Sequence, residues 1–145
     1  MVEVNNLSSE PINKLLFKKI VQFILKKENK KGKISIALVE SEEIRRLNKD
    51  YRKKDSITDV LSFADKDDII EVKDKRKRFI GEIVLCPEKI RENSQEFKVD
   101  FTKELYWALI HGTLHLLGYR HKNLESTQRM KEKEKYYLSF FNKQL

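Results

Sequence analysis

Three features are scarce or missing in this sequence: it has one cysteine, Cys86, no long apolar run, and no secretion signal at its N-terminus. A single cysteine excludes an internal disulfide, which fits a reducing compartment, and we interpret Cys86 as a small buried hydrophobic residue. A membrane-spanning helix needs roughly 18 consecutive apolar residues, and a secretion signal needs a basic and then an apolar segment. We therefore expect a soluble, cytoplasmic protein that does not insert into membranes.

Apolar residues make up 39% of the chain and charged residues 37%, so the sequence is less apolar and more charged than an average globular protein. Aromatic and branched side chains nevertheless recur along the whole chain, which argues against disorder. The 145 residues are enough for one hydrophobic core, and no repeat, low-complexity linker or domain boundary interrupts them. We predict a single domain over residues 1–145.

The charge balance is basic, because 31 lysines and arginines outnumber 23 acidic residues and give a formal net charge of +8. Such a charge favours association with polyanions, either nucleic acid or an acidic membrane surface. The charge alone does not distinguish these two partners.

Hydrophobic periodicity predicts four strands and five helices. The strands are predicted at about residues 2–7, 33–39, 59–63 and 79–85. The helices are predicted at about residues 8–27, 42–50, 88–97, 101–117 and 124–141. Strands that alternate with helices, followed by a helical C-terminal part, predict an α+β fold with a mixed sheet of about four strands packed against helices.

Capping residues and apolar stripes refine the helices. The cluster Ser8–Pro11 is predicted to begin the first helix, Ser41 to cap the second, and Gly118 to end the helix that precedes it. The first helix is expected to bury Leu15, Leu16, Ile20, Phe23 and Ile24, and the last helix Met130, Tyr137, Leu138 and Phe141.

All three histidines of the chain, His111, His115 and His121, lie within eleven residues. On a helix the first two project from one face with side chains about 6 Å apart. Gly118 can adopt the left-handed conformation that ends a helix, so that the chain reverses and brings His121 over the same face. This spacing predicts a metal site, with one zinc ion per chain as the expected cofactor, although three imidazoles also accept nickel, copper or cobalt.

The histidine spacing, with glycine at its eighth position, equals that of the zincin motif H-E-x-x-H-x-x-G-x-x-H. Gly112 replaces the glutamate, which is the general base of those peptidases, and this argues against an ordinary peptidase. Three protein ligands leave a coordination position open, as in catalytic zinc sites and unlike closed structural ones.

The segment HGTLHLLGYRH, residues 111–121, resembles the signature of the YbeY proteins, which are bacterial metal-dependent endoribonucleases of ribosomal RNA maturation. Residues 47–55, LNKDYRKKD, and 58–63, TDVLSF, are similar to a second block of that family, and residues 81–90, GEIVLCPEKI, are similar to a third. Together these blocks extend the resemblance over about residues 35 to 140.

The resemblance implies that the three histidines hold zinc and that Arg52 is the other important active-site residue. It also implies action on single-stranded regions of ribosomal RNA, in 3′-end maturation of 16S rRNA and in quality control of the small ribosomal subunit. The sequence departs from the family at two positions, since Arg120 and Glu82 stand where aspartate is common. Arg120 reverses a charge beside the metal site.

Arg52 carries a planar guanidinium that suits two phosphate oxygens. On spacing alone a surface ion pair is its more common role, and only the resemblance favours an active-site role. Lys53 and Lys54 are predicted to bind RNA because they neighbour Arg52. The basic run 73–78 is interpreted as a solvated loop, and Tyr106 and Trp107, one turn before His111, as core residues rather than stacking platforms for bases.

Two other functions stay open from the sequence. One is a zincin-like metallopeptidase, which the spacing supports and Gly112 opposes. The other is a non-catalytic ribosome assembly factor in which the metal only stiffens the helix turn. If the protein cleaves RNA, either water or the adjacent ribose 2′-hydroxyl attacks the phosphorus, and the residues favour neither.

Overall fold

A mixed sheet surrounded by helices forms the protein, as the sequence predicts. The structure, a computed structural model, describes residues 1–65 and 78–142. The strands are β1 (Val2–Asn6), β2 (Lys33–Leu38), β3 (Val60–Ala64) and β4 (Phe79–Leu85). The helices are α1 (Lys14–Lys27), α2 (Ser41–Arg52), α3 (Pro87–Glu96), α4 (Phe101–Leu116) and α5 (Leu124–Phe141). The prediction of an α+β fold is confirmed.

The four strands lie in the order β1-β2-β4-β3. The first three in this order run parallel to one another, and β3 runs antiparallel to β4 with Val60 opposite Leu85. Because α4 packs against both β3 and β4, the C-terminal part of this helix lies beside the strand that follows Thr58 and Asp59. The functional site is built at this junction.

The two faces of the sheet bury side chains in separate clusters. Along β2, Ile34, Ile36 and Leu38 alternate with less buried residues, which is the pattern of a strand with one face in the core. These residues belong to the larger cluster, which includes apolar side chains of α1, α4 and α5. The smaller cluster lies on the other side, where Ile44 of α2 is grouped with the fully buried Cys86. The interpretation of Cys86 as a buried residue is confirmed.

The first helix begins later than predicted. Asn13 caps α1, since its side chain accepts a hydrogen bond from the backbone N–H of Leu16 at 3.1 Å. The Ser8–Pro11 segment instead forms a turn, in which the Asn6 side chain accepts the backbone N–H of Ser8 at 3.1 Å. Local side-chain hydrogen bonds of this type compete with helix formation, and they explain the shift.

Two smaller predictions about the helices also differ from the structure. Ser41 is the first residue of α2 and not its cap, and its backbone N–H donates to Oε1 of Glu88 at 3.2 Å. Leu15 is 72% exposed and so lies outside the apolar stripe of α1. The remaining apolar residues named for these helices lie in the core, and of them Phe23 and Leu138 are only partly buried.

Among the helices of residues 1–65 and 78–142, none is long and apolar enough to cross a membrane.

A candidate metal centre in an arginine-lined cleft

The helix α4 carries two of the three histidines and ends where the sequence predicts. Its last residue is Leu116, and Gly118 follows with a φ of 104°. The backbone N–H of Gly118 donates to the carbonyl of His115, and that of Tyr119 donates to the carbonyl of Leu114, each at 3.1 Å. This pair of hydrogen bonds is the Schellman motif, which favours glycine at the left-handed position. The motif reverses the chain toward the helix face that presents His115.

The three imidazoles converge through the same ring atom. The Nε2 atom of His115 lies 3.1 Å from Nε2 of His111 and 3.2 Å from Nε2 of His121. Two nitrogen ligands of a tetrahedral zinc ion, each bonded at about 2.0–2.1 Å, are about 3.3 Å apart. All three ligand atoms lie within 4.8 Å of one another. The spacing therefore fits a shared metal ion.

The hydrogen-bonding capacity of His115 supports the same conclusion. One imidazole nitrogen can donate or accept one hydrogen bond, yet Nε2 of His115 is approached by the nitrogens of two rings. A cation that accepts a lone pair from each ring satisfies all three nitrogens. Burial, together with the charges of His111, His121 and Arg120, lowers the pKa of His115 to about 4. His115 is therefore neutral at pH 7, as a metal ligand must be.

The sequence analysis missed one residue of this site, Glu134 of α5. Its Oε2 atom lies 3.0 Å from Nδ1 of His111, and its side chain is 6% exposed. A signal for it exists in the sequence, because Met130, Glu134, Tyr137 and Phe141 recur at three- and four-residue steps along α5, and all four are buried. A glutamate inside an apolar stripe needs a partner, and here the partner is a metal-site histidine.

Of the two aromatic residues before His111, Tyr106 lies in the core and Trp107 is partly buried against it. Tyr106 is buried and contacts Phe17 edge to face, with ring centroids 5.3 Å apart. Trp107 stacks on His111, with ring centroids 4.8 Å apart and an angle of 29° between the planes. Its indole thus covers one face of a metal-site imidazole.

The turn that carries His121 is tied to two other helices through Glu28, which ends α1. The Tyr119 hydroxyl donates to Oε1 of Glu28 at 2.6 Å, and the Tyr137 hydroxyl donates to Oε2. Lys133 also donates to Oε2, at 3.2 Å. Burial disfavours ionisation of Glu28, but the three hydrogen bonds outweigh it and hold its pKa below the usual value. Glu28 therefore fixes the segment two residues before His121.

A cleft of about 510 Å³ opens beside the histidines. Its lining includes all three imidazoles, Arg52 from the end of α2, Arg120 from the turn after α4, and residues around the start of β3, among them Asp59. Arg52 is exposed, and within residues 1–65 and 78–142 no side chain or backbone group bonds to its guanidinium. The surface ion pair considered for Arg52 is thus not found in this part of the chain.

The two lysines that follow Arg52 do not line this cleft. Lys53 has a left-handed backbone, with a φ of 61°, and its Nζ donates to the carbonyl of Asp50 at 3.3 Å. Lys54 is exposed. RNA binding by Lys53 and Lys54 stays a prediction, and residues 73–77 of the second basic run lie outside the described residues.

Gly112 lies against the sheet and does not face the cleft. A Cβ atom at this position would lie 2.9 Å from Cγ2 of Ile83, 3.2 Å from Cγ2 of Val60 and 3.2 Å from Oγ of Ser62. Ser62 also donates a hydrogen bond to the carbonyl of Gly112 at 3.0 Å. The position of the zincin glutamate is therefore filled by close contact between α4 and the sheet.

Comparison with known proteins identifies the family of this site. The family model described as Endoribonuclease YbeY matches residues 3–142. The chain belongs to the YbeY endoribonuclease family. The resemblance seen in the histidine segment and in the blocks around Arg52 and Gly81 is thereby confirmed.

Individual YbeY proteins match most of the chain. Endoribonuclease YbeY of Carboxydothermus hydrogenoformans is 38% identical over 143 residues, which cover 96% of each chain. Endoribonuclease YbeY of Bacillus velezensis is 34% identical over 139 residues, which cover 92% of this chain and 87% of its own. A Thermotoga maritima protein solved in solution has 35% identity and a TM-score of 0.65, over 95% of this chain and 87% of its own. Its fold matches the one described above.

Proposed function

We propose that this protein is a zinc-dependent endoribonuclease that cleaves single-stranded RNA. The observation that carries the proposal is the convergence of three imidazole Nε2 atoms in a cleft that is also lined by Arg52. Membership of the YbeY family supports RNA as the substrate, and the net charge of +8 favours a polyanion. The proposed biological target is the 3′ end of 16S rRNA, in maturation and quality control of the small ribosomal subunit in the cytoplasm.

Each residue of the site has a chemical part in this proposal. His111, His115 and His121 hold the ion, and Glu134 orients His111 through its Nδ1 proton. A bound zinc ion lowers the pKa of water and polarises a phosphoryl oxygen. Arg52 binds two oxygens of the scissile phosphate through its planar guanidinium, and this contact strengthens as negative charge grows on those oxygens.

The metallopeptidase alternative is opposed by the packing of Gly112. The zincin glutamate would have to occupy a place where even a Cβ atom lies 2.9 Å from Ile83. Asp59 is the acidic residue in the described lining of the cleft. It lies directly before β3 and not on α4, where the zincin glutamate would be. The alternative of a non-catalytic ribosome assembly factor is tested by the RNA cleavage assay described below.

The test combines metal analysis with cleavage of three substrates. The zinc-loaded protein is incubated with a single-stranded RNA spanning the 3′ end of 16S rRNA, with a duplex of the same sequence, and with casein. We expect cleavage of the single strand, slower cleavage of the duplex and none of casein. His111→Ala should lose both zinc and RNA cleavage, whereas Lys122→Ala, a change at an exposed neighbour of His121, should retain both.

Three outcomes would reject the proposal. Cleavage of casein without cleavage of RNA would favour the peptidase. Cleavage of RNA by metal-free His111→Ala would exclude metal dependence. Absence of cleavage by the wild type, in a protein that still supports ribosome assembly, would favour the non-catalytic factor. The product ends give further information, because a 2′,3′-cyclic phosphate would assign the attack to the ribose 2′-hydroxyl.

A further inference from the structure

Arg120 lies between the turn at Gly118 and the histidine ligand His121, and one of its nitrogens is anchored to the protein. Its Nη1 atom donates to the carbonyl of His115 at 2.8 Å and to the carbonyl of Tyr119 at 2.9 Å. The carbonyl of His115 lies in the last turn of α4, where the helix dipole favours a cation, and the carbonyl of Tyr119 lies in the turn that follows the helix. The guanidinium is therefore held at the edge of the metal site.

The rest of this guanidinium is free to bind a ligand. Arg120 is exposed and lines the same cleft as Arg52 and the three histidines. In the part of the chain that the structure describes, no group accepts a hydrogen bond from its Nε or Nη2 atoms, and no carboxylate forms an ion pair with it. Asp59, the acidic residue of the described cleft lining, pairs with neither arginine.

Two guanidinium groups in one cleft suit a ligand with more than one anionic group. A guanidinium presents donors in a plane that matches the oxygens of a phosphate. A strand of RNA has one phosphate per nucleotide, so a strand that places one phosphate at the histidines and Arg52 also brings a neighbouring phosphate into the cleft.

We infer that Arg120 is a second phosphate-binding residue, which holds a phosphate of the RNA strand next to the one that is cleaved. This inference rests on the proposed function, because it assigns the RNA strand a place in the same cleft. The contact strengthens the binding of single-stranded RNA in the cleft.

The salt dependence of RNA binding tests the inference. Each phosphate neutralised on a single strand contributes about 0.7 to the slope of log affinity against log salt. Zinc-loaded wild type and Arg120→Gln are mixed with a fluorescent single-stranded RNA, and anisotropy is read in the first seconds at several salt concentrations. We expect the variant to bind about 10-fold more weakly at low salt and to show a slope shallower by about 0.7.

Two further variants separate phosphate binding from a structural role at the turn. Arg120→Lys retains the charge and should restore most of the slope. Arg46→Gln removes the same charge from an exposed arginine that pairs with Glu43 and Asp50 on α2, and it should bind RNA like the wild type. Zinc content is measured for every variant, and we expect Arg120→Gln to retain its zinc.

The outcomes distinguish this inference from the proposed function. The inference is overturned if the slope of log affinity against log salt is the same for Arg120→Gln as for the wild type, whether or not the variant loses zinc. A shallower slope in Arg46→Gln as well overturns it too, because the effect would then be one of overall charge. Failure of the wild type to cleave RNA would reject the endoribonuclease proposal, and a slope change specific to Arg120 would still establish the phosphate contact.

Discussion

The Nδ1 atom of His111 lies 3.0 Å from Oε2 of Glu134, although 23 residues separate them in the sequence. A carboxylate accepts the Nδ1 proton and thereby leaves the lone pair of Nε2 pointing away from α5. That lone pair faces the Nε2 atom of His115. The last helix of the fold is therefore part of the candidate metal centre, even though it carries none of the three histidines.

Replacing Glu134 by glutamine should weaken zinc binding by about 10-fold, since outer carboxylates of this type contribute about 10- to 100-fold to metal affinity. Glutamine keeps the size of the side chain but removes its charge. Affinity is measured by competition with a chromophoric chelator at pH 7. Glu132→Gln, an exposed change on the same helix, should bind zinc like the wild type. Equal zinc affinities of the wild type and both variants would show that Glu134 does not strengthen metal binding by His111.

Replacing Arg52 by alanine should reduce kcat/KM for RNA by about 100-fold, the lower end of the effect of one electrostatic donor on a developing negative charge. Zinc content should stay at about one ion per chain, because Arg52 lies on α2 and, among the described residues, forms no hydrogen bond or ion pair with a histidine. The two measurements are made on the same preparation. Loss of zinc or of helical circular dichroism in this variant would contradict the assignment.

Replacing Gly112 by alanine should destabilise the protein by about 1–3 kcal/mol through overpacking, partly offset by the helix propensity of alanine, about 1 kcal/mol. The added methyl would lie 2.9 Å from Ile83 and 3.2 Å from Val60, and both are branched side chains with little freedom to move. Urea unfolding with a chelator present measures the difference. An alanine variant more stable than the wild type by about 1 kcal/mol, the gain expected from helix propensity alone, would show that α4 can move away from the sheet at no cost.

Replacing Glu28 by glutamine should lower the free energy of unfolding at pH 7 by about 1–2 kcal/mol, because hydrogen bonds to a charged group are lost. The folded-state pKa of Glu28 lies below the usual 4.5. Its contribution is therefore complete above about pH 4.5 and disappears as the pH falls through the folded-state value. The difference in the free energy of unfolding between wild type and variant should therefore decrease below pH 4.5.

Urea unfolding from pH 7 to pH 3, with a chelator in both samples, checks this dependence. Glu42→Gln, a change at an exposed residue of α2, serves as the control, and its free energy of unfolding should equal that of the wild type over this pH range. A difference for Glu28→Gln that stays constant down to pH 3 would mean that the charge of Glu28 is not what stabilises the turn.

The parts of the site that local rules determine could be predicted from the sequence. His111 and His115 lie one helical turn apart, and Gly118 ends the helix by a conformation that few other residues adopt. The alternating pattern of β2 likewise fixes which side chains face the core. These predictions needed only the periodicity of one element at a time.

The parts that depend on packing between distant elements could not be predicted in this way. Glu134 reaches His111 only after α5 packs against α4, so its place in the apolar stripe of α5 indicates that it is buried but not which residue it contacts. The start of α1 at Lys14 depends on hydrogen bonds of the preceding turn, including one from the backbone of Ser9 to Glu40 at 2.6 Å. Gly112 suggested a lost catalytic base, whereas the sheet beneath it explains the glycine.

Because of the turn at Gly118, His121 is not held by the backbone hydrogen bonds of α4, unlike the other two histidines. Backbone hydrogen bonds of α4 hold His111 and His115 in register with or without an ion, whereas His121 lies beyond the helix end. An ion bound by all three closes the short segment between His115 and His121 into a ring, and closing so short a loop has a small entropic cost. Metal binding is thereby coupled to the order of one turn rather than to the folding of the whole chain, and that same turn carries Arg120 into the cleft.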